Sequence, residues 1–370
     1  EALRIREEIH AEQPDLPLSI WYLATTHRGL GDTLLEYRLR DAEDHLRKAL
    51  ELMTRIGGSP ATRPVYRREL GAVWQSLAIV LYRQERSEEG EEAARSGLRI
   101  AHEIVDRYPE ISGARRDLAN NYFNLGAWYV ALGRFEQARE ALEEAISIQK
   151  ALVEEVGIPP ARKSLADSYA TLGECLTSSG VPYVAPEPIR RALAIYRELL
   201  KESPGMPAYR QGLVSALNVL GDACVRAGMG LQAASALEEA VRLGGELVAE
   251  YGDVPRYLYD LGNSEAALGV LLKRPDPVRA CDLLGRAAEH YSASLRLRPG
   301  YAVYRKALNH ACWMLGMVRV GLGDHEGAAT AFAKAALALP ELALAYRQLL
   351  SFLVRCVELA RADPNLTVEQ

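Results

Sequence analysis

Residues 124–145 read NLGAWYVALGRFEQAREALEEA, and the fold turns on whether this is one hairpin or one copy of a unit that fills the chain. Leu118, just upstream, falls with Leu125 and Gly126 at i, i+7 and i+8, one face of a helix. ALGR at 131–134 interrupts that face. Ala138, Leu142 and Ala145 then recur at helical spacing and mark a second helix.

The Leu118/Leu125 pair recurs as Leu23/Leu30, Leu70/Leu77, Leu165/Leu172, Leu213/Leu220, Leu261/Leu268 and Leu308/Leu315. Successive second leucines lie 47, 48, 47, 48, 48 and 47 residues apart. Glycine follows in six copies, at Gly31, Gly126, Gly173, Gly221, Gly269 and Gly316, and Ala78 stands there in the other. Twenty residues past the second leucine comes a small residue: Gly97, Ala145, Ala192, Ala240, Ala288 and Ala335, with Ala49 one residue early in the first copy. Small residues at these places predict close approach of two helices. Copies open with proline and an aromatic-basic pair, as in Pro64, Tyr66, Arg67 and Pro207, Tyr209, Arg210. Proline in a first turn costs little, because its missing N–H would have had no helical partner there. The tyrosine is read as packing on the preceding helix and the arginine as pairing with an acidic neighbour.

The spacing W-x2-LG-x2-Y…A-x3-F…A resembles that of tetratricopeptide repeats (TPR). Tyr122, Leu125, Gly126, Tyr129, Ala138, Leu142 and Ala145 carry the likeness, and Leu315, Gly316, Ala328, Phe332 and Ala335 carry it in the last copy. It implies an all-α, right-handed superhelical solenoid of antiparallel helix pairs. The unit departs from the family in length, since the usual repeat has about 34 residues. The excess is placed at the start of the first helix and the end of the second (IQKALVEEVG, 148–157). Long units of this kind resemble arrays of large bacterial proteins, often joined to Ser/Thr protein kinases.

On this register residues 1–14 form the second helix of a truncated repeat, which reads as a fragment trimmed at its start. Repeats follow at 15–60, 61–111, 112–159, 160–206, 207–254, 255–301 and 302–340, with a partial repeat or capping helix at 341–370. GVPYVAPEP at 180–188 predicts an exposed loop and a late second helix in the fourth copy; KRPDP at 273–277 predicts a proline-initiated helix in the sixth.

A net charge of -5 and a pI near 5.9 argue against a basic nucleic-acid surface. No apolar run reaches the roughly 18–20 residues that span a bilayer, so no membrane association is expected. The five cysteines (Cys175, Cys224, Cys281, Cys312, Cys356) form no CxxC pair and read as buried free thiols of a reducing, cytoplasmic compartment. No phosphate loop, HExxH, GxSxG or kinase HRD or DFG motif occurs. GMG at 228–230 falls between helices rather than after a strand, and His310 and Cys312, at i and i+2, point apart on a helix. No catalytic residue, cofactor, metal or small-molecule substrate is expected.

The resemblance also implies that each first helix lines a concave groove, at positions two and five residues either side of the second leucine. That rule selects Arg28, Asp32 and Gln75 early. It selects Asn120, Phe123, Asp167, Glu174, Ser215, Asn218 and Asp222 in the middle. It selects Asn263, Lys273, His310, Trp313 and Met317 late, the last two with the tryptophan and thioether suited to anchoring an apolar side chain. Relatives that hold a terminal carboxylate use a clamp of Lys, Arg and Asn. Here only Arg28 is basic near such a place, while Asp32, Glu174 and Asp222 are acidic, so a basic or mixed-charge segment is favoured. The expected function is a non-enzymatic scaffold that binds a partner protein or peptide along the groove. The alternative, from the resemblance, is the regulatory or sensory C-terminal region of a larger bacterial Ser/Thr kinase polypeptide.

Overall fold

The computed structural model describes residues 1–35, 38–58, 62–180 and 186–339. Among these, every regular element is a helix. The chain divides into two compact units, Glu1–Ser179 and Gly180–Gln370. The first holds α1 (Ala2–Glu12), α2 (Pro17–Leu34), α3 (Leu39–Gly57), α4 (Pro64–Arg83), α5 (Ser87–Arg107), α6 (Ser112–Ala131), α7 (Phe135–Val156) and α8 (Pro159–Ser178). The second holds α9 (Pro186–Glu202), α10 (Pro207–Arg226), α11 (Gly230–Glu250), α12 (Pro255–Leu272), α13 (Pro277–Leu297), α14 (Ala302–Gly321) and α15 (His325–Ala338). Within each unit every helix packs chiefly on its neighbours in sequence, which is the solenoid pattern of a helical repeat. The partial repeat expected at 341–370, with Cys356, lies outside the described residues, as do residues 181–185 of the proline-rich loop.

The conserved-looking leucine-glycine pair is explained by one contact. A Cβ on Gly126 would fall 2.6 Å from Leu142 Cγ, and one on Gly31 or Gly221 would fall 2.6 Å from Cγ of Leu46 or Leu237. Glycine on the first helix thus accommodates a fully buried large side chain from the second. The second copy inverts the arrangement: Ala78 replaces the glycine and Ala94 the leucine. There Trp128 of α6 fills the space and would collide with any Cβ at Gly90.

Two kinds of turn join the helix pairs. After α4, α6, α10 and α14 the chain closes with one residue at positive φ: Glu85 (64°), Gly133 (71°), Gly228 (74°) and Gly323 (77°). The next N–H reaches back five residues, as in Arg134 N to Tyr129 O at 2.9 Å and Met229 N to Cys224 O at 2.8 Å, a Schellman cap. α2 and α12 instead end two residues earlier relative to their leucines, with Arg38 N on Leu34 O (2.8 Å) and Asp276 N on Leu272 O (2.9 Å). The second helix then starts one residue early. This explains Ala49, and it corrects the sixth copy: Ala287, not Ala288, takes the small position. Leu284 Cγ and Ala280 O face Gly269 as Leu142 Cγ and Ala138 O face Gly126. The sixth second helix does start at Pro277, with the Asp276 carboxylate accepting from Arg279 N at 3.1 Å.

The tyrosine-arginine pairs tie each copy to its surroundings. Tyr66 is buried in a cluster with Met53, Leu70 and Ile104. The buried Arg67 guanidinium donates to the Gly57 and Gly58 carbonyls at 2.9 and 3.1 Å, capping the C-terminus of α3, and pairs with Glu103 at 2.5 Å. Arg210 pairs with Glu250 at 2.9 Å. Cys175, Cys224 and Cys312 are buried and Cys281 half-buried, all as free thiols. No helix among the described residues is long and apolar enough to cross a membrane.

Candidate functional site

A cleft of about 420 Å³ opens between α4 and α6, within the range of about 300–1,000 Å³ usual for binding sites. Its floor is the α5 face carrying Gly97, Ile100, Ala101 and Ile104, with Ala114 from α6. Ile100, Ile104 and Ala114 belong to the hydrophobic core of this region, so the floor is continuous with the interior.

Two polar cross-links bridge the walls. Nearer the helix N-termini, Arg68 Nη2 pairs with Asp117 at 2.5 Å. Gly113 makes room for this, since a Cβ there would lie 2.6 Å from Arg68 Nη2. Further along, the Gln75 amide N–H donates to the Asn121 side-chain oxygen. The chain of amides extends both ways: Asn124 Nδ2 donates to Gln75 Oε1 at 3.2 Å, and Asn121 Nδ2 donates to the Asp117 carbonyl at 2.7 Å. A primary amide has two N–H groups and an oxygen with two lone pairs, so these bonds do not exhaust the donors and acceptors at the mouth of the cleft.

Arg28 of α2 borders the cleft and is fixed by Glu69 (2.6 Å) and Asp32 (2.9 Å). Burial works against its charge, but the hydrogen bonds and charges of Glu69 and Asp32 outweigh it and hold the guanidinium pKa above its ordinary value. With Arg68–Asp117 and Arg28–Glu69 both paired, the lining balances two positive against two negative side chains.

Of the groove residues expected from sequence, Arg28, Gln75 and Asn120 line this cleft, and Asp32 borders it through Arg28. Phe123 is half-buried on α6, Glu174 exposed on α8, and Asp167 paired with Lys163 at 2.7 Å. In the second unit Asp222 is exposed and paired with Arg226 at 2.9 Å, and Ser215 is half-buried. Asn218 donates to the Asp260 carbonyl at 3.2 Å, and Asn263 accepts from Tyr291 at 2.8 Å. His310 and Met317 are exposed on α14. Lys273 lies in the turn past α12, because that helix ends early. Trp313 is half-buried and packs edge-on against Phe332, ring centroids 5.0 Å apart.

Sequence reasoning missed Arg68, Glu69, Asp117, Asn121, Asn124 and Gly97. One signal was available. Four residues before the second leucine the other copies carry Thr26, Val73, Ser168, Ala216, Ser264 and Ala311, and only the third carries an amide, Asn121.

The same positions in the fifth and sixth copies hold a closed version of the site. Gln211 and Asp260 stand where Arg68 and Asp117 do, 2.8 Å apart. There α10 and α12 are in closer contact than α4 and α6, and Asp260 is 3% exposed. Burial raises the Asp260 pKa against the opposing pull of Arg256 and Gln211. Beside it Glu265, also buried, meets His290 Nδ1 at 2.7 Å and Arg286 at 3.2 Å. No group of three or more His, Cys, Asp or Glu among the described residues is arranged to hold a metal ion.

Comparison with solved structures places the fold among helical-repeat proteins. The chain is similar to aspartyl phosphate phosphatase F from Bacillus subtilis (TM-score 0.56, 15% identity, 90% of this chain and 73% of that one). It is also similar to a Rap protein solved in complex with competence and sporulation factor (0.51, 11%, 95% and 93%). A third likeness is to the apo quorum sensor NprR from B. thuringiensis (0.50, 13%, 91% and 92%). At these identities the likeness is one of fold. No curated protein sequence matches. Residues 69–151, which carry the floor and most of the lining of the α4–α6 cleft, match the family model for tetratricopeptide repeats. The same leucine-glycine helix pair recurs on both sides of that segment.

Proposed function

We propose that the chain is a non-enzymatic scaffold that binds a protein partner through an extended peptide segment lying in the α4–α6 cleft. The observation that carries this reading is the amide chain Asn124–Gln75–Asn121 at the mouth of a cleft with an apolar floor. Extended main chain presents N–H and C=O groups in alternation, and side-chain amides can meet both. The paired charges at the rim favour a mixed-charge segment over a strongly acidic one, because a second anion would have to displace Glu69 or Asp117 from its arginine. Two of the similar structures point the same way: one is a quorum sensor, and the other was solved bound to competence and sporulation factor.

The test is selection of a random peptide library displayed on phage against the immobilised full chain, followed by fluorescence anisotropy with the enriched peptides. Asn120→Ala/Asn124→Ala should weaken binding by about tenfold or more, since it strips hydrogen-bonding groups from the mouth while leaving the floor intact. Absence of enrichment over an unrelated helical protein, or unchanged affinity in this variant, overturns the reading.

A further inference from the structure

Gly97 is the residue that sets this cleft apart from its counterparts. At the same place in the helix pair the other copies carry Ala49, Ala145, Ala192, Ala240, Ala287 and Ala335, every one of them 0% exposed. Glycine in a helix interior is less favourable than alanine, and α5 holds it at its midpoint, ten residues from either end. A Cβ here would lie 3.1 Å from Asn121 Oδ1, 3.2 Å from Gln75 Nε2 and 3.3 Å from the Gly71 carbonyl. The amide bridge between α4 and α6 therefore sits directly over bare α5 backbone.

The shape of the opening follows. The cross-links at Arg68 and Gln75 are seven residues apart on α4, about 10 Å along the helix axis. Between them the floor is formed by Ile100, Ile104 and Ala114, which are 1%, 4% and 2% exposed. A charged side chain pushed through that window would lose its hydration with nothing to replace it.

We propose that Gly97 determines the specificity of the cleft, and that the bound segment inserts one aliphatic side chain of leucine or isoleucine size between the two cross-links onto Ile100 and Ile104. The proposal rests on the reading of the cleft as a peptide site and deepens it. Gly97 lets the amides of Gln75 and Asn121 settle low enough to hold the main chain on either side of the anchor. Adding a methyl group raises them and narrows the window. In the closed counterpart at α10 and α12 the equivalent residue is Ala240, and the equivalent of Asn121 is Ser264.

The experiment uses the full chain and the library-selected peptides. Their aligned sequences should share one Leu, Ile or Met position, and alanine there should cost about 10- to 100-fold in affinity. Gly97→Ala should leave the melting temperature unchanged or higher, because six copies already accommodate alanine and the helix gains propensity. It should nevertheless weaken the parent peptide by about tenfold or more, and weaken the alanine-substituted peptide much less. Methyl resonances of Ile100 and Ile104 should shift on titration with the parent peptide and stay fixed with the alanine-substituted one. If Asn120→Ala/Asn124→Ala abolishes binding while Gly97→Ala binds the parent peptide as tightly as the native chain, the anchor pocket is wrong and the cleft reading stands. Selected peptides with no shared aliphatic position, or Ile100 and Ile104 methyl signals unmoved at saturation, also overturn it. Should Gly97→Ala lower the melting temperature, the peptide-side substitution and the methyl shifts decide the matter without it. Failure to select any peptide is a failure of the cleft reading itself.

Discussion

Gly126 and Leu142 should be energetically coupled, and the size of the coupling can be worked out from their geometry. Gly126→Ala places a methyl group 2.6 Å from Leu142 Cγ, 2.9 Å from Leu142 Cδ2 and 3.3 Å from the Ala138 carbonyl. Overpacking of this kind costs about 1–3 kcal/mol, offset by about 1 kcal/mol of helix propensity. The single variant should therefore lose about 1 kcal/mol. Leu142 is fully buried, and its truncation to alanine should cost about 2–5 kcal/mol. In the double variant the two short contacts to Leu142 vanish, only the carbonyl at 3.3 Å remains, and the new methyl group fills part of the hole. The double variant should be more stable than Leu142→Ala alone, with a favourable coupling of about 1–3 kcal/mol. The second copy shows that the chain can use such a pair, since Ala78 and Ala94 occupy these positions. Urea denaturation gives the totals. Amide hydrogen exchange resolved to α6 and α7 gives the local values, which matter because a repeat array need not unfold in one step. Strict additivity of the two substitutions would refute the glycine-leucine account of the helix pair.

Glu85 occupies a left-handed conformation that the equivalent turns give to glycine, so Glu85→Gly should raise stability by about 1 kcal/mol, read as a higher urea midpoint. Burial, followed by the charges of His45 and Lys48, lowers the His27 pKa against an opposing pull from Glu7, and its Nδ1 lies 2.9 Å from His45 Nδ1. A depressed histidine leaves the unfolded chain holding the extra proton, so stability at α2 and α3 is complete above pH 6.5 and falls as pH drops through that value. Melting at pH 7.5 and 5.5 should show this loss, and His27→Gln should shrink the difference. Burial pushes the Cys175 and Cys312 thiols up to about 11, so iodoacetamide should modify both roughly 100-fold more slowly in the folded chain than in urea. Mass spectrometry of the alkylated peptides checks it.

The helix pair was legible because packing wrote it repeatedly: a leucine, a glycine and an alanine must return wherever two helices close in the same way. The turns were not. KRPDP and ALGR both read as breaks, yet one ends its helix two residues sooner, and adjacent alanines at 287 and 288 left no mark of the shift in the letters. The groove rule located Arg28, Gln75 and Asn120 because it samples one stripe of the first helix. It passed over Asn121, at a position that five of the other six copies bury, and over Asn124, and it counted Gly97 as one more small residue. The letters also do not disclose that the half-buried Trp313 meets Phe332 edge-on.

The early turns also change how the outward faces of the copies correspond. Counted from the leucine, Leu231 and Val278 are different positions; counted from the start of the second helix, both are its second residue. They are 91% and 69% exposed. The same place holds Arg40, Glu88, Glu136 and Glu326 in four other copies. The reading frame of the outer surface is thus reset at each turn. In that frame two consecutive copies present an aliphatic residue where the others present charge.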